Sequence, residues 1–128
     1  MVGAYLAVGL ASSSAPKALW TTSPLAISFS GSGGTGSSGS VGDSFKCAPP
    51  VTGLVILHTS VSSPTKISLT TTPSSTASCG PSFSAVTITA HCLVAVPNCK
   101  GTYEGTVTIF EGYYTTFPPD LQVTISVT

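Results

Sequence analysis

The sequence contains no arginine, and charged residues make up only 6% of its 128 positions, where roughly a quarter is usual. Four lysines balance four acids, so the formal net charge is zero. With no basic cluster there is nothing to neutralise phosphates, which argues against nucleic acid and against an anionic membrane surface as partners. Amides are almost missing too: Asn98 and Gln122 are the only ones, and Met1 is the only methionine. Scarcity of thermolabile residues is one part of heat adaptation, but the Lys/Glu enrichment that usually goes with it is absent. Asn98 is followed by Cys99 and Lys100, so there is no N-glycosylation sequon. No apolar run approaches the ~18 residues needed to cross a bilayer. Met1–Leu10 is apolar but has no basic residue before it, so it reads as part of a mature chain rather than as a signal peptide.

The polarity comes from hydroxyls: 21 Ser and 19 Thr, 40 of the 128 residues. They hydrate a surface without charging it, and Thr suits strands. Such a surface does not repel its neighbours. It fits either an uncharged, O-glycosylated surface protein or a protein that packs against copies of itself.

There are four cysteines, Cys47, Cys79, Cys92 and Cys99, and no C-x-x-C pair, so zinc-ribbon and thioredoxin readings are poor. Four cysteines allow three pairings. Cys92–Cys99 is favoured because it closes a short loop between two strands, and Cys47–Cys79 follows by elimination. Disulfides imply an oxidising compartment, extracellular or at the cell surface, with hyperthermophile cytoplasm as the known exception.

Almost nothing reads as helix. Apolar residues recur at every second position in Leu25-Ile27-Phe29, Ile67-Leu69, Val86-Ile88-Ala90-Cys92, Tyr103-Gly105-Val107-Ile109 and Leu121-Val123-Ile125-Val127, the period of a strand with one buried face. Leu54–Leu57 is uniformly apolar and predicts a strand buried on both faces. Phe45–Cys47 predicts a brief strand. Gly31–Ser40 reads as a flexible loop; it lacks the G-K-[ST] ending of a phosphate-binding loop. Thr71–Ser82 reads as a connection, and Phe117-Pro118-Pro119 as a turn or edge segment. About seven short strands separated by turn signals predict an all-β, immunoglobulin-like sandwich over residues 24–128.

The closing segment, Gly101-Thr-Tyr-Glu-Gly-Thr-Val-Thr-Ile109 followed by Leu121-Gln-Val-Thr-Ile-Ser-Val127, resembles the last hairpin of prokaryotic Ig-like surface domains, the BACON-like domains among them. Pro24-Leu-Ala-Ile-Ser-Phe29 resembles their opening strand. The resemblance implies an Ig-like sandwich at a cell surface, and carbohydrate or mucin as a ligand class. The mid-domain Trp of that family has no counterpart, since Trp20 precedes the first expected strand.

Residues 1–12 form a second unit, joined to the sandwich by a spacer over 13–23. Val2, Ala4, Leu6, Val8 and Leu10 fall at every second position, separated by Gly3, Tyr5, Ala7 and Gly9, which is a strand with one apolar face. Such a strand either closes its own sandwich or fills a groove in a neighbouring subunit, the β-strand addition known as donor-strand complementation. The segment resembles the donor strands of fimbrial subunits and of archaeal thread-like filaments. Insertion head to tail does not close and so propagates a fibre. The resemblance implies that Val2, Ala4, Leu6, Val8 and Leu10 plug a groove lined by the final strand, at Val123, Ile125 and Val127, and by a strand from the first half.

No catalytic constellation is evident. His58 and His91 are the only histidines, and Asp43, Glu104, Glu111 and Asp120 do not stand at ligand spacing from them. There is no G-x-S-x-G elbow and no obvious pair of carboxylates. No cofactor or metal is expected. The sequence therefore predicts a structural subunit of an extracellular filament whose partners are copies of itself. Two alternatives stand beside it: a carbohydrate-binding module presenting Tyr113, Tyr114 or Trp20 to glycans, and a viral decoration or adhesion domain.

Overall fold

A computed structural model describes residues 16–31, 35–94, 99–111 and 115–128. Nine strands follow one another: β1 Lys17–Trp20, β2 Leu25–Phe29, β3 Ser38–Ala48, β4 Val55–Val61, β5 Ile67–Thr72, β6 Ser75–Thr76, β7 Ser84–Cys92, β8 Gly101–Glu111 and β9 Thr115–Val127. They build two sheets, ordered β1-β3-β7-β5 and β2-β9-β8-β4-β6. All neighbours are antiparallel except β2 and β9, which run parallel with Leu25, Ile27 and Phe29 opposite Val123, Ile125 and Val127. This is the expected all-β sandwich.

The period-two pattern sets the core. Ile27, Ile67, Ile88, Ile109, Leu121 and Ile125 are all buried between the sheets with Phe45 and Phe117, and the intervening hydroxyls face outward. Thr and Ser also pair across the outer faces: Ser40 with Thr89 at 2.8 Å and Ser60 with Thr106 at 2.7 Å.

Cys47 is bonded to Cys79, with Sγ atoms 2.04 Å apart, where an isolated bridge already pairs Val51 with Cys79. Cys92 is bonded to Cys99 across the short connection from β7 to β8. Gly80, beside the first disulfide, has φ +84°, and a Cβ there would stand 2.7 Å from the Cys47 carbonyl oxygen. Only glycine fits this turn.

Several segments differ from expectation. Lys17–Trp20 lies in the region read as spacer, yet it pairs with β3, Lys17 opposite Ala48 and Trp20 opposite Phe45. The loop expected over Gly31–Ser40 is shorter, because β3 begins at Ser38 and pairs with β7 from Ser38–His91 onward; ladder bonding overrides the Gly/Ser composition. Leu54–Leu57 is buried on one face only. Val55 and Leu57 point inward, while Leu54 is 57% exposed and Ile56 36%, since β4 lies in a sheet whose outer face is open. Within Thr71–Ser82, β5 runs on to Thr72 and β6 forms at Ser75–Thr76. Pro118 and Pro119 fall inside β9, where the register with β8 slips between Val107–Leu121 and Ile109–Phe117. They sit in that irregularity and beyond the end of β2, so neither owes a ladder hydrogen bond.

The registers define two poles. Ala48, Val55, Glu111 and Thr115 lie towards one; Ser38, Cys92, Phe29, Gly101 and Val127 lie towards the other. Each pole carries one disulfide.

Candidate assembly site

A sandwich offers partners its faces or its strand edges. One open depression of about 370 Å³ is lined by Thr21, Thr22, Gly42, Asp43 and Ser44 with part of β7, and neither a histidine nor an aromatic side chain lines it. His58 is exposed on β4, its ring 4.6 Å from that of Phe110, and His91 lies on β7 in the other sheet, so the two histidines do not converge. Among the described residues no group of three or more His, Cys, Asp or Glu could hold a metal ion. Trp20 is half-buried, with its ring 5.3 Å from that of Phe45, and so is part of the packing rather than a free aromatic platform. Tyr113 and Tyr114 lie outside the described residues, as do Val2, Ala4, Leu6, Val8 and Leu10.

Tyr103 is structural. It is buried, and its hydroxyl donates to the Cys99 carbonyl at 2.7 Å, tying the start of β8 to the disulfide loop in the manner of a tyrosine corner.

The edges are more informative. Val123, Ile125 and Val127 are buried, and β9 is hydrogen-bonded on both sides over this stretch, to β8 and to β2. The sequence pattern identifies them as core residues but does not show that β2 already occupies their free side. A strand arriving there has to displace Leu25–Phe29.

One edge differs. β3 pairs with β7 from Ser38 to Phe45, but β1 covers its other side only from Phe45 to Ala48. After Trp20 the chain crosses towards the second sheet. Thr21 N–H donates to the Ser44 carbonyl at 2.9 Å, and Thr22 N–H to Asp43 Oδ1 at 3.0 Å. Beyond that crossover, Ser38–Asp43 has no strand on its outer side among the described residues. Facing it, at the edge of the other sheet, is β2. The core is incompletely covered between them: Trp20, Phe29 and Val41 pack against it while remaining only partly buried. A Cβ on Gly39 would stand 2.9 Å from Phe29, so the glycine lets that ring press against β3. Two polar atoms here are buried without a hydrogen-bond partner, Trp20 Nε1 and Asp43 Oδ2. No sequence signal marks this seam, which arises because the first strand stops four residues in and changes sheet.

No helix among the described residues is long and apolar enough to cross a membrane. The two disulfides mark an extracellular or cell-surface protein.

No protein-family model matches the chain, and no curated protein matches it. Solved structures that share its general shape include the S-layer protein SbsC, residues 31–844, at TM-score 0.49 and 10% identity over 88% of this chain and 12% of that one. Domains 4–9 of the same surface-layer protein match at TM-score 0.49 and 10% identity, covering 88% of this chain and 14% of that one. Domains 4 and 5 match at TM-score 0.46 and 12% identity, covering 87% and 50%. The chain thus spans half or less of the length of each of these three structures.

Proposed function

We propose that this chain is a structural protein of the cell surface and, more specifically, a subunit of an extracellular filament assembled by donor-strand complementation. The observation that carries the reading is the polarity of the domain. Lys17 pairs with Ala48 and β1 runs antiparallel to β3, so β1 begins at the Ala48 pole. The sequence before it carries the alternating apolar residues Val2, Ala4, Leu6, Val8 and Leu10, which we read as the donor strand, with residues 11–16 as its tether. The uncovered seam extends to the opposite pole. An arm at one end and an uncovered seam reaching the other is the arrangement a head-to-tail polymer needs. The low surface charge leaves little to repel successive subunits.

Electron microscopy of the purified chain, with and without residues 1–12, tests this. Fibres are expected from the intact chain and dispersed particles from the shortened one; fibres from both would refute the donor role.

A further inference from the structure

We propose that the acceptor for Val2–Leu10 is the free edge of β3, Ser38–Asp43, in a second copy of the chain. This rests on the donor-strand reading above and replaces the final strand, at Val123, Ile125 and Val127, as the place where the donor binds.

Four observations converge on that edge. The first is its chemistry. Exposed strand edges are normally blunted by charge, proline or a covering element. β1 carries Lys17, and β5 is bracketed by Lys66 and Pro73. The free half of β4 is tied across to β5 by Thr59 Oγ1 donating to the Leu69 carbonyl at 2.7 Å. Ser38-Gly-Ser-Val-Gly42 has neither charge nor proline, and the one charge on this edge, Asp43, stands at its inner end beside the crossover.

The second is the seam beneath it. Trp20, Phe29 and Val41 are half-covered apolar groups, and a strand lying along β3 would place every second side chain over them. Val2, Ala4, Leu6, Val8 and Leu10 supply apolar side chains at that spacing. Their nine residues span ~30 Å, enough to cover a six-residue edge of ~20 Å.

The third is the pair of orphaned polar atoms. Buried polar groups ordinarily find partners. An extended backbone carries both an N–H and a carbonyl, which would pair with Asp43 Oδ2 and Trp20 Nε1 once these two side chains turn out towards the arriving strand.

The fourth is direction. β1 begins at the Ala48 pole, so a segment preceding it would reach Ser38–Asp43 of its own domain only by turning back past β1 and then past Thr21 and Thr22, which are already bonded to Ser44 and Asp43. A neighbour stacked pole to pole meets no such obstacle.

Cysteine crosslinking in the full-length chain tests the inference. Val41→Cys is combined in turn with Ala4→Cys, Tyr5→Cys, Leu6→Cys, Ala7→Cys and Val8→Cys, and each pair is treated with a short thiol-directed crosslinker. The expected result is a ladder of covalent oligomers from the even-numbered partners, at least tenfold stronger than from Tyr5→Cys or Ala7→Cys. Crosslinked monomer alone would mean docking in cis and would overturn the proposal. A second measurement needs no substitution. Amide exchange across Ser38–Asp43 should slow at least tenfold between the dispersed and the assembled chain. Fibres that depend on residues 1–12 but leave those amides unprotected would overturn the β3 edge while keeping the donor strand. Fibres that survive removal of residues 1–12 would overturn both.

Discussion

Tyr103 shows how much one hydroxyl can hold. Its ring fills core volume, and its O–H satisfies the carbonyl of Cys99, itself buried within the β7–β8 disulfide loop. Tyr103→Phe keeps the ring and strands that carbonyl, at a cost of ~1–2 kcal/mol. Thermal unfolding should therefore shift down by several degrees, and an unchanged midpoint would show that water replaces the bond. The burial is legible in the sequence, because the alternation Tyr103, Gly105, Val107, Ile109 places the ring on the inner face; the bond to Cys99 is not. Trp20 is not legible in the same way. Its position before the first expected strand says nothing of a ring packed on Phe45, because that contact depends on a register set far along the chain. Asp43 is a similar case: a lone acid in a Gly/Ser stretch gives no hint that one of its oxygens is buried without a partner.

At the scale of elements, strands with strict alternation and β-branched residues were readable: β2, β5, β7, β8 and the second half of β9. Where the composition ran against strand propensity, pairing decided. Ser38–Ser44 is extended because β7 offers it a continuous ladder, and Lys17–Trp20 is a strand because β3 has a free side at that point. Neither condition is local, so neither appears in a window of sequence. β4 failed in the opposite sense, since four consecutive apolar residues cannot reveal which face is covered. The contrast between β2 and β4 makes a prediction about covered and uncovered side chains. Ile27→Ala removes a fully buried side chain from the strand that closes the edge of β9, and should cost ~2–5 kcal/mol in denaturant unfolding. Ile56→Thr, on the open face, should stay within ~0.5 kcal/mol of the parent. Equal effects would mean that the outer face of β4 is covered in the isolated protein.

For the whole molecule, the disulfides stand out. The Cys47–Cys79 bridge spans 32 residues of sequence and Cys92–Cys99 spans 7. Loop-closure entropy makes the longer bridge the more stabilising, at ~4 against ~2.5 kcal/mol. Replacing Cys47 and Cys79 together by Ser should thus lower the unfolding free energy more than replacing Cys92 and Cys99; the reverse order would show that native contacts, not the unfolded chain, set the balance. The sequence predicted the sandwich and the pairing of cysteines. Its expected acceptor, the final strand at Val123, Ile125 and Val127, left out β2, which already pairs along that side; an acceptor is made by what a neighbouring strand fails to cover, and that is not local.

The position of Lys17 opposite Ala48 has a mechanical consequence. In the proposed fibre, tension would enter each domain through β1, pulling along the strand axis and across its hydrogen bonds to β3. Bonds loaded this way are sheared together, whereas a strand pulled sideways at one end peels away bond by bond. β1 is only four residues long, but Ala18 pairs with Cys47, and Cys47 is covalently anchored to Cys79. The pull would thus pass almost at once from a short strand to a crosslinked part of the domain. A single-molecule stretching experiment would see this as an abrupt, high-force rupture that softens when the Cys47–Cys79 bridge is reduced.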